Sequence, residues 1–214
     1  LPALGQRDQS HLGELSLECI GGRLGFDDGE IEVAGIDVAD DPEAARHRLG
    51  IAPQELELYD YLTGAEYLAF AARLRGMEGD GVDETVDRLL ALTRLESARD
   101  RLAREYSGGM ARKLALAAAL VGEPPLLLLD EALVGLDPES SVRIRRALSE
   151  HCEEGGSVLL STHALEVLET IASRVLILDD GRLVRDVDGD EMRGWIEEGR
   201  YDGLTEIYLE VTSE

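Results

Sequence analysis

The chain has 214 residues, 44% of them hydrophobic, which suits one α/β core with a small helical lobe and excludes a disordered chain. Its longest uncharged apolar stretch, Leu114 to Val121 or Gly122, is far short of the roughly 20 residues that span a bilayer, and no basic-then-apolar secretory signal opens the chain. The formal net charge of −24, from 45 acidic and 21 basic residues, repels phosphates and makes free DNA or RNA a poor partner.

In chain order, Gly29 to Val38 reads as an extended hairpin arm: Glu30-Ile31-Glu32-Val33 alternates, Gly35 turns, and Ile36-Asp37-Val38 follows. Pro42 to Leu49 has the look of a short helix, and Gly50 to Gln54 of a short strand leaving into a loop. Thr63 and Glu66 form a capping box. The helix behind it carries Tyr67, Leu68, Phe70, Ala71 and Leu74 and stops near Gly76. Gly79-Asp80-Gly81 reads as a flexible turn and Val82 to Leu92 as another amphipathic helix.

Ser107 caps a helix expected from about Met110 to Leu120, and Pro124-Pro125 breaks the chain. Leu126 to Leu129 is a continuous apolar run, as expected of a buried parallel strand. Pro138 to His151 reads as a helix, Ser157 to Ser161 as a buried strand and Ala164 to Ile171 as a helix. Val175 to Leu178 and Arg182 to Val184 form a hairpin across Asp179-Asp180-Gly181. Ile207 to Val211 alternates like an edge strand. Helices alternate with buried strands in the second half, which is the logic of a parallel sheet, and helices cluster between Gln54 and Arg104 as an inserted lobe.

Cys19 and Cys152 fit no metal-ligand spacing and read as reduced, structural cysteines. Lys113 is the only lysine; every other basic residue is arginine. Acidic, lysine-poor and aromatic-poor composition suits adaptation to high salt, and drift in a GC-rich genome would give the same bias. The first residue is Leu1 rather than Met, as in a fragment.

The chemistry concentrates after Leu126. Leu126 to Leu129 ends in Asp130-Glu131, and ligands of parallel sheets bind beyond the carboxyl ends of the strands. Asp130 could hold Mg²⁺ through water, and Glu131 could orient or deprotonate an attacking water. Ser107-Gly108-Gly109 precedes a helix whose exposed amides suit an anion, although a plain serine cap has the same look. His163 follows a strand where it could donate to a γ-phosphate, although most such histidines are loop residues. Gln54 alone reads as a solvent-facing glutamine, and Gly135-Leu136-Asp137-Pro138 as a turn into a helix.

Their order changes the reading. Gln54, Ser107-Gly108-Gly109, Asp130-Glu131, Gly135-Leu136-Asp137 and His163 resemble, in sequence, the Q-loop, signature motif, Walker B motif, D-loop and switch histidine of ABC ATPase domains. The resemblance covers roughly Gly25 to Thr212. Leu58 to Leu68 is similar to the segment after the Q-loop in single-domain subunits of drug and polysaccharide exporters, and Leu204 to Thr212 resembles the C-terminal strand of that branch.

The resemblance implies an α/β, P-loop NTPase-like fold with a parallel core and an inserted helical lobe at about 55–105. The ATPase domain would run over 25–187, with a degenerate phosphate-loop region at 1–24, N-terminal strands truncated and a tail at 188–214. It implies ATP and Mg²⁺ as cofactors. Glu131 and His163 would be catalytic; Ser107, Gly108, Gly109, Gln54 and Asp137 would touch ATP; Asp130 and Gln54 would touch the metal. It also implies two partners: a second ABC subunit, identical or different, and an integral-membrane permease that would hold an otherwise cytoplasmic protein at the membrane. Chromosome-maintenance ABC ATPases share the motifs but need a coiled coil that the span from Gln54 to Ser107 cannot hold.

The departures are specific. No G-x-x-x-x-G-K-[ST] loop occurs before Gly25, and Lys113 stands in the signature helix, so no residue fills the Walker A lysine role. The family's first strands and its adenine-stacking aromatic are missing too. Ala132-Leu133 replaces the usual Pro-Thr, and Ala118 stands where the family often has Arg. Residues 6–8 (Gln-Arg-Asp) and 18–21 (Glu-Cys-Ile-Gly) are compatible with a shifted reading frame through a P-loop. Three readings follow: an ATP-hydrolysing exporter subunit, a non-hydrolysing half-partner that donates its signature motif, and the product of a decayed gene. The absent Walker A lysine predicts no measurable ATPase activity for this chain alone.

Overall fold

The computed structural model describes residues 12–56 and 58–212, so the expectation for residues 6–8 lies outside the described residues. The chain divides into two compact units, one running over Leu17–Ser161 and the other built mainly from Thr162–Glu214.

The first unit is organised on a three-stranded parallel sheet in the order β3-β4-β5. β3 is Leu49–Ala52, β4 Leu126–Asp130 and β5 Ser157–Ser161. The leucine run puts β4 in the middle, where a strand needs apolar residues on both faces; Leu127, Leu128 and Leu129 are essentially inaccessible. Ala52 pairs with Leu129, and Asp130 with Ser161, so the three strands end together on one edge. β5 is half-buried rather than buried as expected, because among the described strands it pairs with β4 alone.

Ahead of the sheet stand α1 (Leu12–Ile20), the short antiparallel pair β1 (Glu32–Val33) and β2 (Ile36–Asp37), and α2 (Pro42–His47). Leu17 and Ile20 pack with Val33, Val38, Ala45, Leu49 and Leu128. The expected hairpin arm and short helix are therefore present, each shorter than read from the sequence.

Between β3 and β4 lies the helical lobe: α3 (Gly64–Leu74), α4 (Asp80–Thr93) and α5 (Gly108–Ala119). The capping box that starts α3 is complete: Glu66 N donates to Thr63 Oγ1 at 3.2 Å, and Thr63 N to Glu66 Oε2 at 2.8 Å. Gly79-Asp80-Gly81 is not a free turn. Gly79 alone turns, at φ 61°, and the helix has begun by Asp80, with Asp80 and Asp83 favourably placed in its first turn. α5 buries Leu114, Leu116 and Ala117 completely, and its end sits on β3 so closely that a Cβ on Gly50 would lie 2.0 Å from the Ala119 carbonyl. α6 (Pro138–Glu153) joins β4 to β5 and packs through Ile144 and Leu148. Cys152 near its end is free and exposed, while the buried positions of α6 are Ser140, Ile144, Leu148 and His151.

The second unit holds α7 (Leu165–Ile171), the antiparallel hairpin β6 (Arg174–Asp179) and β7 (Arg182–Asp188), α8 (Gly189–Glu197) and α9 (Leu204–Thr212). Its core is Val175, Ile177, Val187, Met192, Tyr201, Leu204 and Ile207. The tail is a helix, which corrects the expected edge strand. Leu204, Ile207 and Val211 fall on one helical face toward this core, and that spacing wins over the alternation of Ile207, Leu209 and Val211. Leu204 N donates to Glu169 Oε1 at 2.6 Å, which ties the start of α9 to α7. Among the described residues no helix is long and apolar enough to cross a membrane.

Candidate functional site

Three of the expected site residues lie at the carboxyl edge of the parallel sheet. Gln54 is exposed, two residues beyond the end of β3. Asp130 closes β4 and is 6% exposed. The Ser161 hydroxyl, at the end of β5, donates to Asp130 Oδ1 at 2.9 Å. Glu131 follows in the left-handed region, at φ 50°, and its amide donates to the Ser161 carbonyl at 2.9 Å. A non-glycine residue held there costs about 1 kcal/mol or more. The sheet register holds it, because the Ser161 carbonyl takes the Glu131 amide just where the chain leaves β4.

A second group gathers where the helical lobe meets the loop after Glu131. Ser107 caps α5, accepting from Met110 N at 3.3 Å, and is exposed together with Gly108. A Cβ added to Gly108 would meet nothing within 4 Å, so this amide-rich helix start is open to a ligand. A Cβ on Gly109 would lie 3.6 Å from the Gly135 carbonyl, which puts the 107–109 segment against the 134–137 loop.

Asp137 has both carboxylate oxygens engaged. Oδ1 caps α6 by accepting from Ser140 N at 2.9 Å; Oδ2 accepts from Ser140 Oγ at 2.7 Å and from Lys113 Nζ at 3.1 Å. The Ser140 hydroxyl and amide, with Lys113 behind them, hold this carboxyl well below the ordinary carboxylate range. Asp137 thus caps α6, in keeping with the turn into a helix read at 135–138, and also anchors Lys113.

His163 belongs to the other unit, where it is exposed two residues beyond β5 and its carbonyl accepts from Leu165 N at 3.1 Å.

Three cations escaped the sequence reading. Arg112 Nη1 donates to the Val134 carbonyl at 2.7 Å, Lys113 reaches Asp137, and Arg94 at the end of α4 pairs with Glu139 at 2.8 Å and Asp137 at 3.6 Å. The available signal was that the one lysine of the chain stands six residues after Ser107. Its partner could not be read, because Asp137 lies 24 residues on.

Among the described residues, no group of three or more His, Cys, Asp and Glu side chains is close enough to hold a metal ion by itself. Oxygen donors are nevertheless present at the sheet edge. Asp130 and Glu131 at the end of β4 and Gln54 beyond the end of β3 carry oxygen atoms of the kind Mg²⁺ takes, and Mg²⁺ usually keeps several waters and uses only one or two protein ligands besides phosphate.

The family model described as ABC transporter matches residues 15–134. The chain is 42% identical over 154 residues to ATP-binding cassette sub-family A member 7 of Rattus norvegicus, covering 72% of this chain and 7% of that protein. It is 35% identical over 167 residues to the daunorubicin/doxorubicin resistance ATP-binding protein DrrA of Streptomyces peucetius, covering 78% of this chain and 51% of that protein. The matched region thus spans about half of the drug-resistance relative and a small part of the larger one. A solved ATP-binding subunit of an ABC transporter superposes with a TM-score of 0.85 at 30% identity, covering 96% of this chain and 85% of that one. A dimeric ATP-binding cassette solved with ADP and Pi has the same fold, with a TM-score of 0.75 at 24% identity, covering 82% of this chain and 79% of that one.

Proposed function

The chain belongs to the ABC transporter family of nucleotide-binding domains, and from that premise we propose that it is the ATP-binding component of an exporter, working at a nucleotide site shared with a second ABC subunit. The exporter assignment draws on DrrA, whose name records drug resistance, and on the similar segment Leu58 to Leu68.

One observation shapes the proposal. ABC sites need a lysine on the β- and γ-phosphates. The only lysine here is 9% exposed and engaged with Asp137 and Ser140. In this reading the phosphate-binding loop comes from outside these 214 residues. What the described residues offer is the other half of a shared site: the open helix start at Ser107-Gly108-Gly109 for a partner's ATP, and the Asp130-Glu131 edge for Mg²⁺ and water.

In this reading Asp130 and Gln54 hold Mg²⁺ through oxygen, and the metal supplies charge neutralisation on the phosphates. Glu131 aligns or deprotonates the attacking water, and His163 contacts the γ-phosphate. Asp137 fixes the loop that approaches ATP. A cytoplasmic segment of a membrane permease docks beside the loop after Gln54, where Tyr59, Tyr61, Phe70 and Leu74 present an exposed apolar patch with Arg104 stacked on Tyr61. That partner holds the protein at the cytoplasmic face of the membrane.

The test is ATP hydrolysis by the complex purified from membranes through a tag on this chain. Ser107→Arg should cut hydrolysis at least tenfold, by analogy with removing a donor to developing charge, worth about 10²–10³ in rate. Unchanged hydrolysis would contradict the proposal. Glu131→Gln then separates two readings. Loss of turnover means that the chain's own carboxylate works; no change means a non-hydrolysing partner, the reading that the buried Lys113 favours.

A further inference from the structure

Lys113 leaves α5 on the side facing the start of α6, where Asp137 Oδ2 lies at 3.1 Å and Ser140 Oγ at 3.2 Å. Ser140 is fully buried. One residue earlier on α5, Arg112 reaches the Val134 carbonyl. From the end of α4, Arg94 reaches Glu139 and Asp137. Three cations from two helices of the lobe thus converge on residues 134–139, in a chain where acids outnumber bases by 45 to 21. Arg94 and Glu139 are about half exposed, so water screens that pair. The Lys113 side chain is only 11% exposed, so its contact is the one that water screens least. Asp137 is 43% exposed, so removing its carboxylate leaves the Lys113 ammonium with little solvent, whereas removing Lys113 leaves Asp137 in contact with water.

We infer that Lys113 is a positioning residue that clamps the 107–109 segment to the 134–137 loop, so that Ser107 and Asp137 meet nucleotide as one rigid body. The inference rests on the proposed function only for what that body meets; the clamp itself belongs to the isolated chain. Arginine at 113 keeps a charged donor for Asp137 and Ser140, whereas methionine keeps the aliphatic stem and loses the charge.

Because no other lysine competes, acylation of the purified 214-residue chain by an amine-reactive reagent reads Lys113 directly, with the N-terminal amine as internal standard. Lys113 should react at least about tenfold more slowly in the folded chain than in urea, and Ser140→Ala and Asp137→Asn should each raise the folded rate. Hydrogen exchange of amides 107–111 and 134–137 should accelerate together, about tenfold or more, in Lys113→Met and return toward the original rate in Lys113→Arg. Where Asp137→Asn fails to fold by circular dichroism, Ser140→Ala carries the comparison. Equal acylation of folded and unfolded chain, or unchanged exchange in Lys113→Met, would overturn the clamp. Neither readout involves ATP, so a failed clamp and a failed Ser107→Arg assay are separate results.

Discussion

Ser161 donates its hydroxyl to Asp130 at 2.9 Å, across the ends of two parallel strands whose final register pair is these same two residues. The bond orients a carboxylate that is almost wholly withdrawn from water and that the proposed site needs for Mg²⁺. Ser161→Ala removes a donor from a buried anion, a loss of about 1.5–3 kcal/mol. Urea unfolding should show that drop, and Ser161→Thr, which keeps the hydroxyl, should lose less. Equal stability of all three would mean that the hydroxyl does not hold Asp130.

Arg75 joins the helical lobe to the sheet. From the end of α3 its guanidinium donates to the carbonyls of His47 and Leu49, and partial burial lowers its pKa. Arg75→Met should cost about 1–3 kcal/mol in urea unfolding, since the freed carbonyls lose charged donors. Arg75→Lys should recover only part, because an ammonium cannot reproduce the two-pronged geometry. Full recovery by lysine would show that charge alone matters.

Much of this was legible in the residues. The Thr63-Glu66 box, the proline breaks and the leucine run before Asp130 are local signals, and α3, α5 and β4 followed them. The motif order also named the sheet-edge residues. The failures share a cause, which is that packing partners distant in sequence decide between local alternatives. Ile207 to Val211 alternates, yet the core around Val175 and Met192 takes the helical face of Leu204 and Ile207 instead. Gly79 to Gly81 has the composition of a turn, yet Val82 and Val86 are buried and extend α4 back to Asp80. The contacts of Arg94, Arg112 and Lys113 with 134–139 had no local signal, because each partner lies 22 or more residues on.

The lowered Asp137 pKa fixes the sign of an acid effect. A carboxyl depressed in the folded state contributes stability that is fully present above the unfolded value of about 3.9 and is lost as pH falls toward the folded value. Acid titration of the native chain should therefore show falling stability below about pH 5, and Asp137→Asn should be less stable at neutral pH with a flatter acid limb. Parallel acid limbs in the two proteins would contradict the contacts of Asp137 with Ser140 and Lys113.

The net charge of −24 makes salt a stabiliser. Repulsion among surface carboxylates falls as the screening length shortens from about 10 Å at 0.1 M salt to about 3 Å at 1 M. Trp195, the only tryptophan, lies in the second unit beside Tyr201 and reports that unit by fluorescence. Its melting midpoint should rise steadily with KCl. A midpoint unchanged after dialysis into low salt would argue against adaptation to high salt.

The most direct test of the account is phosphate release by the purified 214-residue chain alone, incubated with MgATP and compared with its Glu131→Gln variant. With its only lysine held by Asp137 and Ser140, the chain should release no phosphate above the blank, and the two proteins should be indistinguishable. Robust Mg²⁺-dependent turnover that Glu131→Gln abolishes would contradict the account, because it would mean that these residues hold and cleave ATP with no phosphate-binding loop from elsewhere.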